Sequence, residues 1–344
     1  MKIGNLDIQE NQSLQSFHSF GIKVNAKFFI ELKSIEDIED FVQNIKHVPQ
    51  PIYYLGGGAN SLFIDDFKGT VIHIANKGIS LIEENEEHIL VGAQAGEDWD
   101  EFVQFCVENE YYGIENLTAI PGQVGTAPIQ NIGAYGVEAK DTILEVYYID
   151  LNNGESYVLD NASCEFGYRN SIFKNELKKQ FIITEVVFKL SKRSDFHLEY
   201  GAIKDELKRK AIIQPTISQV SDTIRSIRES KLPNTKEIGN AGSFFKNPVI
   251  EQEKYQKLKE QYPNIVSYAA AEGKFKIAAG WMIDHLGWKG REHKGAAVHT
   301  QQALVLINKN NATGQAIKEL SEMIKEDIQK HFGIALEAEV EFVF

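Results

Sequence analysis

Residues 239–248, with the sequence GNAGSFFKNP, combine an uncrowded backbone with side chains that could take part in chemistry. Two glycines and an alanine leave room for a ligand to approach the chain closely. Ser243 follows them, and Lys246 and Asn247 supply a charge and an amide. The same composition is that of an ordinary turn with a buried phenylalanine pair, because glycine and asparagine are default turn residues. On these ten residues alone the turn is the commoner interpretation, and a ligand site is the alternative.

Three consecutive glycines at 56–58 follow a predicted strand and lead into a second apolar run. A Rossmann fingerprint would open a helix here, but Ser61 takes the place of its third glycine and residues 62–64 continue as a strand. We therefore reject a Rossmann fold. Successive backbone N–H groups in such a loop can form a nest for a pyrophosphate, with Asn60 and Ser61 adding polar contacts. A plain hairpin turn is the alternative.

Residues 120–136, IPGQVGTAPIQNIGAYG, break every periodic pattern and contain four glycines and two prolines. Long irregular segments inside compact domains are usually functional or disordered. The isoleucines, valine and tyrosine of this segment argue against disorder. We predict that its backbone wraps around a flat cofactor.

Two further positions could bring charge into a site. Arg169 interrupts apolar surroundings, where an unpaired buried charge would be costly, so it needs an acid or a ligand. The last ten residues, 335–344, are predicted to form a strand that places Glu337, Glu339 and Glu341 on one face by its period of two. Either that face is exposed to solvent or it serves a site that needs one protonated carboxyl group.

The composition is that of a globular protein with more than one domain. The chain has 344 residues, 43% hydrophobic and 25% charged, which exceeds the size at which one core usually keeps growing. No apolar run approaches the roughly 18 residues of a membrane span, and the first ten residues lack the apolar core of a signal peptide. We therefore expect a soluble, cytoplasmic protein that does not bind membranes.

Charge and cysteine content exclude further classes of protein. The net charge of −13 works against nucleic-acid binding. Between residues 204 and 246, however, nine basic residues stand against five acidic ones, which suits a small anionic ligand near Ser243 or a solvated helix face. Cys106 and Cys164 lack the spacing of a disulfide framework or a zinc site, and no metal site is predicted.

The elements that must position these residues follow from hydrophobic periodicity and turn signals. Strands are predicted at 26–32, 51–55, 62–64, 70–75, 88–93, 143–150, 155–159, 181–190, 303–308 and 335–344. Helices are predicted at 35–45, 98–109, 203–210, 251–261, 278–286 and 313–332, the first capped by Ser34. The strands between 143 and 190 are expected to form a meander with a hairpin turn at 152–154, and a domain boundary is expected at 191–200.

Taken together, the motifs resemble one family, the UDP-N-acetylenolpyruvoylglucosamine reductases, which are flavoenzymes of peptidoglycan precursor synthesis. The resemblance covers nearly the whole chain. It rests on GGGANS at 56–61, the irregular segment 120–136, YR at 168–169, GNAGSFFKNP at 239–248, AAGWMID at 278–284, HTQQ at 299–302 and LEAEV at 336–340. Any one of these motifs would be weak, but their occurrence in the family's order is a strong signal.

The resemblance implies an α+β fold, with a two-lobed FAD-binding domain of the vanillyl-alcohol oxidase (PCMH) type followed by an α+β substrate-binding domain. The expected limits are 1–75 and 76–200 for the two lobes and 201–344 for the substrate domain, whose last strand could return to the first lobe. Non-covalent FAD is the implied cofactor and NADPH the implied co-substrate. The implied substrate is UDP-N-acetylglucosamine enolpyruvate, and we expect a monomer.

The resemblance also implies roles for single residues. Ser243 is similar to the proton donor of the family, and Arg169 and Glu339 are similar to the groups that stabilise the intermediate. The implied cofactor-binding positions are Gly56, Gly57, Gly58, Asn60, Ser61, Ile120, Pro121, Gly122, Gly125, Gln130, Asn131, Gly133, Ala134, Tyr135 and Gly136. The implied substrate-binding positions are Tyr168, Tyr200, Lys231, Asn247 and Gln302, with Tyr200 on the substrate-covering loop of the longer family type.

Two departures from the family pattern carry no assigned role. Residues 17–21, FHSFG, stand where Asn-Thr-Phe-Gly is common, which concerns His18 and Ser19. Glu341 stands where some relatives carry arginine.

The implied chemistry needs these residue types. Hydride addition to an enolpyruvyl ether pushes charge onto the carboxylate, which a bidentate arginine such as Arg169 can stabilise. Glu339 could help only as a protonated acid that donates a hydrogen bond. The adjacent carbon is then basic enough to take the proton of Ser243, and Lys231 could stabilise the resulting alkoxide.

Two rival functions remain open at this level. A flavin oxidase of the same fold, acting on an alcohol or a sugar lactone, often binds flavin covalently through His or Cys near the glycine loop, and residues 56–61 contain neither. A non-catalytic flavin- or nucleotide-sugar-binding protein would keep the glycine loops without needing Ser243 or Arg169.

Overall fold

The computed structural model of the chain describes residues 2–270 and 273–344. Its strands in chain order are β1 (Lys2–Ile3), β2 (Leu6–Asp7), β3 (Gln9–Ser13), β4 (Asn25–Leu32), β5 (Ile52–Leu55), β6 (Ser61–Phe63), β7 (Phe67–Ile74), β8 (Ile79–Glu84), β9 (His88–Gln94), β10 (Gly133–Ala134), β11 (Val137–Glu138), β12 (Ile143–Asp150), β13 (Ser156–Asp160), β14 (Phe181–Ser191), β15 (Gly239–Ser243), β16 (Val249–Glu251), β17 (Ser267–Ala269), β18 (Lys274–Ile277), β19 (Glu292–His293), β20 (Ala296–Val298), β21 (Val305–Asn308) and β22 (Glu341–Val343). Its helices are α1 (Ile35–Asn44), α2 (Trp99–Glu108), α3 (Gly201–Arg209), α4 (Ile217–Lys231), α5 (Gln252–Gln261), α6 (Ala279–His285) and α7 (Gly314–Phe332).

Contacts divide the chain into two compact units. The first consists of the N-terminal residues to Gln12, Lys27–Gly57 and Lys68–Ser230, and the second of Ser13–Ala26, Gly58–Phe67 and Lys231–Phe344. The expected domain limits near residues 75 and 200 stay predictions.

The first unit contains two main sheets. One has the strand order β3-β4-β7-β5, with β5 and β7 parallel, and the other is antiparallel with the order β13-β12-β14-β9-β8. Helix α1 begins where predicted, because the Ser34 hydroxyl accepts the Asp37 N–H at 3.1 Å. Helix α2 buries Trp99, Phe102, Val103, Cys106 and Val107, which confirms the predicted apolar face.

Two predictions for the antiparallel sheet are wrong. Strands β12 to β14 do not form a meander, because β14 pairs with the side of β12 opposite to β13. Strand β8 was not predicted, since every one of its residues is exposed and the segment shows no alternation of apolar and polar positions. The hairpin turn between β12 and β13 is confirmed, with Gly154 at a φ of 75°.

The second unit contains a four-stranded sheet with the order β15-β21-β20-β19 and a three-stranded sheet with the order β16-β18-β17. Its longest helix, α7, is capped by Thr313 and ends at Gly333, whose φ of 63° suits the left-handed cap. Strand β22 pairs in parallel with β6, so the last residues of the chain join a strand formed some 280 residues earlier.

Two segments of this unit differ from what their local sequences indicate. Residues 239–243 of the serine motif, for which a turn and a ligand site were the two interpretations, form strand β15. The expected strand at 335–344 is limited to Glu341–Val343, because backbone groups of residues 337 and 339 bond to the chain that follows Ser243.

Among residues 2–270 and 273–344, no helix combines the length and apolar character that a membrane span requires. Within the same residues, no group of three or more His, Cys, Asp or Glu side chains is arranged to hold a metal ion.

Candidate functional site

The glycine loop in the first unit is in close backbone contact with the irregular segment at 120–136. A Cβ atom added to Gly57 would lie 3.0 Å from the carbonyl carbon of Gly122, and one added to Gly56 would lie 2.5 Å from the Thr126 methyl group. A Cβ at Gly57 would press on the Gly122 backbone, and one at Gly56 would displace the Thr126 side chain. The two segments therefore pack closely, and glycine suits both positions.

The irregular segment has a defined conformation. Asn131 is buried with a φ of 46°, and its amide donates to the Glu138 carboxylate at 3.0 Å and to the Gly167 carbonyl at 3.1 Å. Its side-chain oxygen accepts the Lys140 N–H at 3.0 Å. Tyr135, near the end of the segment, also has a positive φ, of 50°. The segment is thus held by specific hydrogen bonds and by strained backbone, as expected of a pre-organised site.

Arg169 lies against the same segment. Its guanidinium donates to the carbonyl of Asn131 at 3.3 Å and to that of Gly133 at 3.0 Å, and its own φ is 53°. Tyr168, the preceding residue, is exposed, and the centroid of its ring lies 5.7 Å from the guanidinium carbon. The structure thus brings a proposed catalytic arginine and a proposed substrate contact to the predicted cofactor loop.

Tyr200, the tyrosine of the expected substrate-covering loop, lies next to Tyr135. The two rings meet edge to face with centroids 5.3 Å apart, and Tyr200 is exposed. The buried Asn116 amide ties the two segments together, because it donates to the carbonyls of Tyr135 and His197.

Sequence reasoning treated two arginines of α4 only as part of a basic stretch. Arg225 forms a bidentate pair with Asp100, at 2.7 and 2.9 Å, and the same carboxylate accepts the Ala119 N–H. Arg228 is largely buried, donates to the Ala119 carbonyl at 3.1 Å, and has its pKa lowered by burial. The spacing of three residues, which puts both on one helix face, was the available signal.

In the second unit the rest of the glycine loop packs on residues 17–20. Gly58 has a φ of 60°, and a Cβ there would lie 2.0 Å from the Phe17 carbonyl oxygen. Ser19 donates its backbone N–H to the Gly58 carbonyl at 3.1 Å and its hydroxyl to the Ala59 carbonyl at 3.2 Å. His18 is buried, and this desolvation lowers its pKa to about 4.

The proposed proton donor and the proposed carboxyl group lie on neighbouring segments of this unit. Ser243 is exposed at the end of β15, and the next residue, Phe244, accepts the Glu339 N–H at 2.8 Å through its carbonyl. The Glu339 carbonyl in turn accepts the Asn60 amide at 2.9 Å, and Asn60 accepts the Glu341 N–H through its own carbonyl. The C-terminal segment therefore connects the serine strand with the glycine loop.

The other three residues proposed to contact substrate lie in the second unit. Asn247 accepts the Ala279 N–H at 2.9 Å and so caps the beginning of α6. Gln302 donates its backbone N–H to the His299 ring at 3.2 Å. Lys231 is exposed at the end of α4.

Comparison with known proteins assigns both parts of the chain. A family model described as "FAD binding domain" matches residues 26–160, and one described as "UDP-N-acetylenolpyruvoylglucosamine reductase, C-terminal domain" matches residues 233–343.

Full-length relatives carry the same name. The UDP-N-acetylenolpyruvoylglucosamine reductase of Flavobacterium johnsoniae is 43% identical over 98% of this chain and 100% of its own. That of Pseudomonas aeruginosa is 41% identical over 97% of this chain and 98% of its own. The crystal structure of the reductase from Thermus caldophilus shares the fold with a TM-score of 0.68 at 21% identity, covering 98% of both chains.

The residues present fit FAD. Gly57 packs against the backbone of Gly122, which joins the two glycine-bearing loops, and the space beside Gly136 is open to a ligand, since nothing lies within 4 Å of a Cβ added there. Such backbone-lined loops suit a pyrophosphate and a flat ring system.

The expected fold class is confirmed: the chain is α+β, with an FAD-binding domain followed by a C-terminal domain of the reductase type. It is an FAD-dependent oxidoreductase, a flavoprotein of peptidoglycan synthesis. At this identity over nearly its whole length, the chain belongs to the UDP-N-acetylenolpyruvoylglucosamine reductase family.

Proposed function

We propose that this chain reduces UDP-N-acetylglucosamine enolpyruvate to UDP-N-acetylmuramate with NADPH as the electron donor. The observation that carries the proposal is the exposed Ser243 on the segment next to Glu339, in a chain whose full-length relatives are named for this reduction. A protein that only bound flavin or a nucleotide sugar would not need an exposed serine at this position.

Bound FAD would supply the hydride chemistry of the reduction, with NADPH as the electron donor and the terminal carbon of the enolpyruvyl group as the acceptor. The glycine loop at 56–58 and the segment at 120–136, which pack against each other, would hold this cofactor through their backbone groups. Asn60 and Ser61 would add polar contacts from the continuation of the glycine loop.

Arg169 stabilises the negative charge that develops on the substrate carboxylate. Its guanidinium is already oriented by the carbonyls of Asn131 and Gly133, so little reorganisation is needed when the charge appears. Glu339 is the second group that we assign to the stabilisation of this charge.

Ser243 donates its hydroxyl proton to the carbon next to the one that receives the hydride. The product gains one hydride and one proton, and the serine alkoxide is reprotonated from solvent. Lys231 stabilises that alkoxide, while Tyr168, Tyr200, Asn247 and Gln302 contact the UDP-sugar.

The proposal is tested by an anaerobic two-step experiment. Bound flavin is reduced with NADPH, excess NADPH is removed, and UDP-N-acetylglucosamine enolpyruvate is added while flavin absorbance is followed. We expect stoichiometric reoxidation of the flavin and formation of UDP-N-acetylmuramate. A flavin that stays reduced would exclude this function, and reduction by NADH at an equal rate would exclude the proposed NADPH preference.

The role of Ser243 is tested in the same experiment. Ser243→Ala should leave the NADPH step near normal and slow reoxidation by on the order of 10²- to 10⁴-fold, because it removes only the proton transfer. Ser16→Ala, at another exposed serine of the second unit, is the control and should change neither step. Equal slowing of both steps by Ser243→Ala would remove this serine from its role.

A further inference from the structure

Strand β15 carries a bulge immediately before Ser243. Asn240 pairs with Ile307 and Ser243 pairs with Val305, so three steps along β15 match two along β21. One extra residue is thus inserted between the two pairs. Gly242 accommodates it with a φ of 64°, a left-handed conformation that suits glycine. The direction in which Ser243 leaves the sheet is therefore set by this bulge.

The side chain of Asn240 holds the bulge from inside the protein. Asn240 is 1% exposed, and its Oδ1 accepts the Gly242 N–H at 2.9 Å. Its Nδ2 donates to the carbonyls of Ile238, at 2.8 Å, and Pro233, at 3.1 Å. Two carbonyls need a donor and one N–H needs an acceptor, so only one orientation of this amide satisfies all three groups.

The backbone of Asn240 is anchored as well. Its N–H donates to the Ser19 carbonyl at 3.1 Å, and Ser19 also bonds to Gly58 and Ala59 of the glycine loop. The preceding residue, Gly239, approaches the Phe20 carbonyl so closely that a Cβ would lie 2.0 Å from its oxygen. The bulge is thus attached at one end to the loop segment at 17–20 and at the other end carries Ser243.

We propose that Asn240 is a positioning residue for the proton transfer from Ser243. Its carboxamide holds Gly242 in the left-handed conformation and so sets the position of the serine hydroxyl, without contacting substrate itself. This inference rests on the proposed function and deepens it. A change that leaves β15 paired but releases the Gly242 N–H or the two carbonyls should misplace the hydroxyl, and a displacement near 1 Å costs about 10²-fold in rate.

The test compares Asn240→Asp with Asn161→Asp in the two-step flavin experiment. Asn240→Asp keeps the acceptor for Gly242 but presents an oxygen to two carbonyls. Asn161 is a matched control in the first unit, because its amide likewise donates to two carbonyls, those of Lys140 at 2.8 Å and Ile143 at 2.7 Å. We expect Asn240→Asp to leave reduction by NADPH unchanged and to slow reoxidation about 10²-fold, with an increased solvent deuterium isotope effect. Asn161→Asp should leave both rates unchanged.

Two further variants keep the inference falsifiable if Asn240→Asp folds poorly. Gly242→Ala leaves Asn240 intact but strains the bulge, because alanine disfavours the left-handed conformation at a φ of 64°. The added Cβ meets nothing within 4 Å, so the fold should be kept. This variant should reproduce the selective slowing of reoxidation. In a Ser243→Ala background, Asn240→Asp should have no further effect on reoxidation. Equal slowing of both steps, the same loss in Asn161→Asp, or an undiminished effect without Ser243 would each overturn the inference. Failure of the proposed function looks different, because the unmodified chain itself would then leave its flavin reduced.

Discussion

Two ten-residue segments of the second unit show how far a local pattern and the folded backbone can disagree. Residues 239–248, rich in glycine and asparagine, have the composition of a turn, yet they begin with strand β15. Residues 335–344 alternate apolar and charged residues like a strand, yet only Glu341–Val343 is one. The two segments lie side by side and share an isolated β-bridge between Phe245 and Ala338.

The difference shows that available backbone partners, more than side-chain preference, decide what forms a strand here. Segment 239–243 pairs with the edge of β21 that faces away from β20. Its small residues let the Phe20 carbonyl approach. The C-terminal segment divides its hydrogen bonds between Phe244 and Lys246 on one side and Asn60 on the other. Because no single neighbour pairs with it throughout, a continuous ladder does not form.

The largest effect should come from filling the space that allows the glycine-rich segment to be a strand. Gly239→Ala places a Cβ 2.0 Å from the Phe20 carbonyl oxygen. The added carbon meets backbone, which cannot turn aside as a flexible side chain can. We expect the free energy of unfolding to fall by about 4 kcal/mol or more in urea titration. Gly201→Ala is the control, since nothing lies within 4 Å of its Cβ. A loss below about 1 kcal/mol for Gly239→Ala would show that β15 does not depend on this approach.

The next prediction asks whether both segments are anchored alike in spite of their different secondary structure. Phe245 is 1% and Leu336 is 6% exposed. Phe245→Ala should cost about 3–5 kcal/mol and Leu336→Ala about 2–5 kcal/mol, because each leaves a cavity in a packed core. Val249→Ala, at a side chain that is 48% exposed, should change stability by less than about 0.5 kcal/mol. If Leu336→Ala were as mild as Val249→Ala, the C-terminal segment would be only loosely attached.

A pH titration tests the burial of His18, which lies in the segment 17–20 that bonds to strand β15. Buried His18 has a pKa of about 4, below its ordinary value of 6.5, so the native state binds fewer protons than the unfolded state. The contribution of His18 to the free energy of unfolding is therefore constant above about pH 6.5. Between pH 6.5 and 4 it lowers that free energy by at most about 1.4 kcal/mol per pH unit as the pH falls. His18→Asn should remove this part of the pH dependence in urea titrations between pH 4 and 7. His47→Asn, at an exposed histidine, should keep it, and an unchanged slope in His18→Asn would refute the assignment.

The smallest effect concerns the ion pair that links the two segments. Lys246 donates to Glu337, whose side chain is 71% exposed. Water and salt screen such a pair, so Glu337→Gln should lower the free energy of unfolding by less than about 1 kcal/mol. Urea titrations at low and high salt should show the difference shrinking as salt rises. A larger, salt-independent loss would mean that this pair, rather than backbone bonding, joins the segments.

Much of the fold could be predicted because local signals and final structure agree. The helices at 35–45, 98–109 and 313–332 begin at capping residues and bury one face, and these signals survive in any context. Strand β12 was predicted over its observed length. Strands β16 to β20 were not predicted, because each has four residues or fewer, too short for a period to be recognised.

The candidate site was predictable as a set of motifs but not as an arrangement. The glycine loops and Ser243 stand out by composition, and the family resemblance supplied their roles. Nothing in the sequence indicated that Arg169 would be oriented by the carbonyls of Asn131 and Gly133. Arg228 was equally hidden, because a solvated helix face and a buried cation have the same local spacing.

The sequence by itself determined the family, the α+β class, the cofactor and the residue types available for the reaction, because these depend on motifs that each lie within a few adjacent residues. Only the tertiary structure decided that the serine motif is a bulged strand and that the C-terminal segment connects Phe244 to Asn60. Both features depend on hydrogen bonds between residues far apart in the chain. Such partners are chosen by which backbone edges meet after folding, and no local pattern encodes that choice.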